Sequence, residues 1–287
     1  MFKFSGFIFF CLPFFISCSA QRIAVQMAFP LIEGQYKSMQ EEADLSFAAQ
    51  AIPSNLKMME GLLKSHETSI RILNSLSEGF CAYAFSFVED SEPARASLLY
   101  ARGRDYAIRS LEESSGVVGL STLFGEEFKF ALKRTNINDL SGLFWAGQCW
   151  AGWIMLNLDN PEVFVDVSRV EGLMKRALAL DEKYHYAGPH LILGGFYGGR
   201  TKILGGNPEK ARLHFERNLE LNQRKFLLTQ LIYAQTYAVQ LQDKELFKKL
   251  LKEVLESPIN GLPEQRLANG VAKRKAKDLL EMVDELF

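Results

Sequence analysis

The sequence predicts an all-α chain of antiparallel helical hairpins stacked into a solenoid, and three features carry that expectation. Apolar residues recur every three or four positions along most of the chain, the period of one helix face. A small residue followed three positions later by an aromatic occurs at Gly147/Trp150 and again at Gly194/Tyr197, 47 residues on. The turn triplets Asn160-Pro161-Glu162 and Asn207-Pro208-Glu209 are separated by the same 47 residues, so two independent landmarks share one period.

Residues 187–222 (AGPHLILGGFYGGRTKILGGNPEKARLHFERNLELN) hold the clearest unit. Leu193, Gly194 and Tyr197 share one face of a first helix, and Ala211, Phe215 and Leu219 step along a second every four residues. Between them Gly205-Gly206 permits a turn, Asn207 is placed as an N-cap, and Pro208 falls where its missing N–H costs nothing. Leucine, small residue and aromatic in this spacing form the tetratricopeptide (TPR) pattern, in which the small residue admits the paired helix and the aromatic fills the space one turn on. About four such hairpins are expected, with capping helices and one helical insert.

From the start of the chain, residues 1–17 are expected to be a targeting segment. Lys3 is their only charge, and the Phe-rich run Phe4–Ile16 is too short to cross a bilayer. Phe15-Ile16-Ser17-Cys18 resembles the lipobox of bacterial lipoproteins, which implies acylation of Cys18 and a mature protein anchored by its lipid outside the cytoplasm. Ser19 after the cysteine leans towards the outer membrane. An ordinary secretory signal is the competing reading. Residues 18–60 are expected as tether and N-terminal capping helix: the tract Glu41–Gln50 is amphipathic, with a break at Pro53-Ser54-Asn55. Residues 61–287 form the TPR-like domain.

A hydrophobic content of 48% supports a large core, and a net charge of −1 offers no field for nucleic acid. Cys81 and Cys149 fall on apolar helices and are expected as two buried free thiols, although the compartment permits a disulfide.

The first hairpin runs from Glu67–Phe87 through Asp90-Ser91-Glu92-Pro93 to a helix carrying Leu98, Leu99, Tyr106, Ile108 and Leu111. Residues 115–139 interrupt the period with an amphipathic helix over Leu120–Lys133, an insert that either plugs the concave face or makes an interface. The second hairpin holds all three tryptophans between Leu143 and Trp153. Its returning helix, Val170–Leu180, is expected to open on a capping box of Ser168 and Glu171. The fourth spans Phe226–Glu256, capped by Asp243 and ended by Pro258, and a final helix covers Pro263–Phe287. On that last helix Arg266, Lys273, Arg274, Lys275 and Lys277 read as a solvated face rather than a binding patch.

The segments RALALD, YAGPHLILGGFY, LGGNPEKARLHFE and LEL within Val170–Leu221, with Tyr237–Pro258, Arg266–Leu280 and the aromatic helix Leu143–Ile154, resemble the TatT component family associated with tripartite ATP-independent periplasmic (TRAP) transporters. The resemblance runs from about Leu98 to the C-terminus. Thr201 and Asn207 depart from the family's usual proline and aspartate and keep the turn chemistry. What the resemblance implies is an all-helical periplasmic lipoprotein that assembles as a homotrimer with a central pore. Its partner is the transporter's periplasmic substrate-binding protein, and its ligand is small and hydrophobic.

From the residues themselves, the first helix of each hairpin should line a concave surface. That selects Trp145, Gln148, Trp153, His190, Phe196, Arg200, Tyr233 and Gln235 as candidate ligand-binding residues, each also readable as packing. Arg200 beside Gly198-Gly199 suits a carboxylate end, or equally a helix C-terminus. No enzymatic activity, cofactor or metal is expected: His185 and His190 are five apart and do not share a helix face, and the glycines match no phosphate-binding motif. A TPR scaffold for a protein or peptide of the cell envelope is the alternative reading.

Overall fold

The computed structural model describes residues 29–287, so the targeting segment and Cys18 lie outside the described residues. Helices α1 (29–40), α2 (Leu45–Ser65), α3 (Ile70–Tyr83), α4 (Pro93–Ser115), α5 (Gly125–Arg134), α6 (Leu140–Met155), α7 (Phe164–Leu180), α8 (Tyr184–Gly198), α9 (Pro208–Leu221), α10 (Leu228–Ile232), α11 (Lys244–Glu256), α12 (Arg266–Glu281) and α13 (Val283–Leu286) follow in order. The chain is all-α, with no strand among the described residues. The densest packing joins α3 to α4, α4 to α6, α6 to α7 and α8 to α9.

Close approach explains the small residues at these contacts. A Cβ on Gly194 would meet the Phe215 ring at 3.0 Å, and one on Gly147 would meet Met174 Cε at 2.5 Å. Phe215, Leu219, Trp150, Leu173 and Met174 then belong to one continuous buried core. Asn160 and Asn207 both cap, accepting from Glu162 N and Lys210 N at 3.0 Å. Asp243 caps α11 through Leu246 N at 2.9 Å.

Several expectations need correction. Cys81 on α3 and Cys149 on α6 are joined by a disulfide, their Cα atoms 5.5 Å apart. Gly103 on α4 makes room for it, since a Cβ there would meet Cys81 Sγ at 2.5 Å and Cys149 Sγ at 3.0 Å. Pro53 does not end a helix. It lies inside α2, whose buried stripe of Ala48, Leu56, Met59 and Leu63 continues past it; burying those side chains offsets the roughly 3 kcal/mol that an interior proline costs. α5 begins at Gly125 instead of Leu120, because Gly119 and Gly125 both take positive φ. Ser168 is not a cap, as α7 has already begun at Phe164 and the Ser168 hydroxyl donates to Val165 O at 3.4 Å.

The cationic face of α12 is not wholly solvated either. Lys275 is 3% exposed, and its Nζ donates to Glu89 Oε1 at 2.9 Å and Asp90 Oδ1 at 2.7 Å, just beyond α3. Arg274 donates to Ser86 O at 2.6 Å and Arg266 to Glu41 O at 3.3 Å. The last long helix therefore closes back against the start of the described chain. A buried lysine with two carboxylate partners satisfies the requirement that such a charge be paired.

Candidate functional site

Two adjoining cavities lie among the helices, an inner one of about 180 Å³ and an outer one of about 470 Å³. Phe85, Gln148, His185, Phe226 and Leu228 line both, so these side chains form the neck between them. The order of lining residues along the chain fixes the direction of the walls. Ser75, Glu78 and Ala82 of α3 face the inner chamber, and Glu89 beyond its end faces the outer. On α6 Trp145 lines the inner chamber, Gln148 the neck, and Ala151, Gly152 and Met155 the outer, which Phe144 also reaches. From the N-terminal ends of α8 and α10, His185, Phe226 and Leu228 hold the neck, while Phe196, Gly199, Gln235 and Val239 follow in the outer chamber. Four helices thus run in one direction along the cavity. α1 contributes Ile32, Tyr36 and Met39 to the inner chamber, and α12 contributes Leu267 and Ala268.

The lining helices are irregular where they meet the cavity. α3 continues into a π turn over Ala84–Val88, which carries Phe85, and α10 into another over Tyr233–Ala238, which carries Gln235 and Thr236. Such widened turns re-aim side chains and recur at functional sites. The third irregularity is stronger. His185, Tyr186 and Ala187 at the start of α8 have φ of 44°, 57° and 52°, one turn of left-handed backbone that costs roughly 1–2 kcal/mol per residue. Right-handed helix resumes at Gly188-Pro189, where the proline ring suits a first turn.

Side chains of α9 hold this turn. Asn218, fully buried, donates to Tyr186 O at 3.0 Å and Ala187 O at 2.8 Å; Asn222 donates to Tyr186 O at 2.6 Å; and Thr229 donates to Asn218 Oδ1 at 2.6 Å. The result is to set His185 among aromatic rings, with centroids 4.9 Å from Trp145 and 5.3 Å from Phe144. Burial there pushes its imidazole down to about 4, so it is neutral at pH 7.

At the inner chamber the Tyr36 hydroxyl donates to Glu78 Oε1 at 2.6 Å. Burial raises the Glu78 carboxyl to about 7, against which the Tyr36 hydrogen bond acts in the lowering direction. The same burial and the adjacent carboxylate push the Tyr36 phenol up.

Of the eight residues selected from the sequence, Trp145, Gln148, Phe196 and Gln235 line the chambers and the other four do not. Trp153 packs at the margin of the core near Arg104. His190 lies 2.8 Å from His214, Nδ1 to Nδ1, and 3.5 Å from Glu182, tying α8 to α9. Tyr233 stacks on Phe215 with centroids 4.3 Å apart. Arg200 is 2% exposed, its Nε donating to Phe196 O at 2.7 Å and its Nη1 to Leu204 O at 2.9 Å, with Cζ 3.8 Å from the Phe196 ring. It satisfies one carbonyl in the last turn of α8 and one in the turn that follows, and desolvation lowers its pKa.

Tyr36, Glu78, Phe85, His185 and Phe226 were not selected from the sequence. For His185 the Tyr-His-Tyr triplet ahead of Gly188-Pro189 is a usable signal, because a helix seldom continues through such a pair. Glu78 sits in an ordinary amphipathic helix and gives none.

Comparison with known proteins bears on the same residues. Over 263 residues the chain is 25% identical to an uncharacterized protein of Treponema pallidum (strain Nichols), covering 86% of this chain and 81% of that relative. Residues 41–287, which include every helix of the cavity wall except α1, match the family described as TRAP transporter T-component. On that match, taken with the all-α architecture, the chain belongs to the TRAP transporter T-component (TAtT) family.

Proposed function

We propose that the protein is a lipid-anchored, periplasm-facing accessory of a TRAP transporter, which binds a small hydrophobic ligand in the paired chambers and passes it on together with a periplasmic substrate-binding protein. The observation that carries this reading is the cavity itself. Its walls are mainly apolar and aromatic, with polar side chains such as Glu78, Gln148 and Gln235 set among them, a composition that suits a small-molecule site. An open polar groove for a peptide would look different. The four co-directional helices α3, α6, α8 and α10, each followed by a returning helix or loop, fit a TPR-like solenoid whose inner surface is the chamber wall.

The Cys81–Cys149 disulfide suits an oxidising compartment, and the lipobox-like segment ending at Cys18 supports attachment through a lipid, in the outer membrane. We place the contact between copies of a homotrimer on the insert. α5 packs on α7 through Phe128 and Leu132, lines neither chamber, and leaves Val118, Phe124 and Phe130 largely exposed. No catalytic step is assigned to any residue.

The test is recovery of both partners. Affinity capture of the acylated protein from envelopes should bring down a solute-binding protein, and extraction of the purified protein should release an apolar compound detectable by mass spectrometry. Capture of no such protein together with an empty cavity would overturn the reading.

A further inference from the structure

The charges around the chambers are one-sided. Glu78 faces the inner chamber, Glu89 and Asp90 face the outer, and no lysine or arginine lines either among the described residues. Glu89 and Asp90 already have a cation, since Lys275 donates to both. Glu78 has none among the described residues: its hydrogen-bond partner is the Tyr36 hydroxyl. Gln35, Gln40, Asn55 and Ser75 line the same chamber, each with a side-chain oxygen able to accept a hydrogen bond. Beyond them the neck at Phe85, Phe226 and Leu228 leads to Leu191, Ile192, Phe196 and Ile232 in the outer chamber, which also holds Glu89, Asp90, Gln235 and Gln240. Both chambers therefore mix apolar walls with polar groups, and Glu78 in the inner one is the lining carboxyl with no cation beside it among the described residues.

We infer that the ligand is a chain-like amphiphile whose head donates hydrogen bonds and carries no negative charge, an amine or an alcohol, seated on Glu78 with its tail beyond the neck, and that fatty acids are excluded. The inference rests on the ligand-binding reading above and gives it a chemical class. A donor head meets the Glu78 carboxyl and the amide oxygens of the same chamber. At pH 7.5, above the raised Glu78 value of about 7, a carboxylate head would bring a second negative charge to an ionised carboxylate, with no lysine or arginine lining either chamber among the described residues. His185 does not change this balance, because it is neutral.

Calorimetric titration of the delipidated protein at pH 7.5 with decylamine, 1-decanol and decanoate, each below its aggregation limit, tests the idea. Decylamine and decanol should each bind at least about ten-fold more tightly than decanoate. Glu78→Gln should weaken decylamine by about ten-fold, change decanol by less than about three-fold, and strengthen decanoate. Tyr36→Phe, which keeps the carboxyl, should preserve the order and serves in place of Glu78→Gln if that variant does not fold. Decanoate binding on a par with decylamine would overturn this inference and leave the ligand-binding reading standing; binding of none of the three would overturn both.

Discussion

The two hairpins related by 47 residues, α6/α7 and α8/α9, share their packing and differ in how they meet the cavity. Each has a glycine that admits the returning helix and an Asn-Pro cap at its turn. α6 enters through a conventional capping box of Asn136 and Asp139 and is pinned to α3 by the disulfide. α8 enters through the left-handed turn at His185–Ala187, pinned to α9 by Asn218 and Asn222. Equal spacing thus specifies equal packing, and the residues that shape the neck come from the departure rather than from the repeat.

Breaking the pins should separate the two. Replacing Cys81 and Cys149 by serine removes a cross-link between residues 68 apart, which on loop entropy costs about 4 kcal/mol. Urea unfolding would measure it, and the left-handed turn should be unaffected. Asn218→Ala leaves Ala187 O without its buried donor and Thr229 without its acceptor, a loss of about 2–3 kcal/mol. Unlike the cysteine variant, it should also weaken ligand binding by freeing His185.

The matched glycines sharpen the comparison further. At Gly194 an added methyl meets the rigid Phe215 ring on three atoms, whereas at Gly147 its nearest neighbour is the flexible end of Met174. Gly194→Ala should therefore cost about 2 kcal/mol and Gly147→Ala less than about 1. Equal costs would mean that the two slots are equivalent after all.

The inner chamber adds a pH dependence. Because the folded-state pKa of Glu78 is raised, the folded protein holds a proton that the unfolded chain has released between 4.5 and about 7. Stability from this group then falls as pH rises through that window. Thermal midpoints of the wild type minus those of Glu78→Gln should decline from pH 5 to pH 8 and level off above it.

Much of the architecture was legible because it depends on neighbours along the chain: Asn207 ahead of Pro208, Asp243 ahead of α11, and Phe215 four residues after Ala211. What was not legible depends on distant partners. The left-handed turn at 185–187 exists because Asn218 and Asn222, more than 30 positions away, donate to its carbonyls. Lys275 is buried because Glu89 and Asp90, some 185 residues earlier, neutralise it. Arg200 had the right setting for a ligand contact, but its Nε and Nη1 donate to Phe196 O and Leu204 O and it lines neither chamber. Half of the selected site residues reach the chambers for a related reason: helical period says which face is apolar, and not which apolar face is left unfilled.

The claim on which the account turns is that the space between α3, α6, α8 and α10 holds an apolar chain. A crystal structure of the delipidated protein with 10-bromodecan-1-ol, phased on bromine, tests it directly. The account predicts the hydroxyl at Glu78 and bromine density in the outer chamber, near Phe196 and Ile232. Bromine bound only on the exterior, or chambers filled by ordered water alone at saturating ligand, would contradict it.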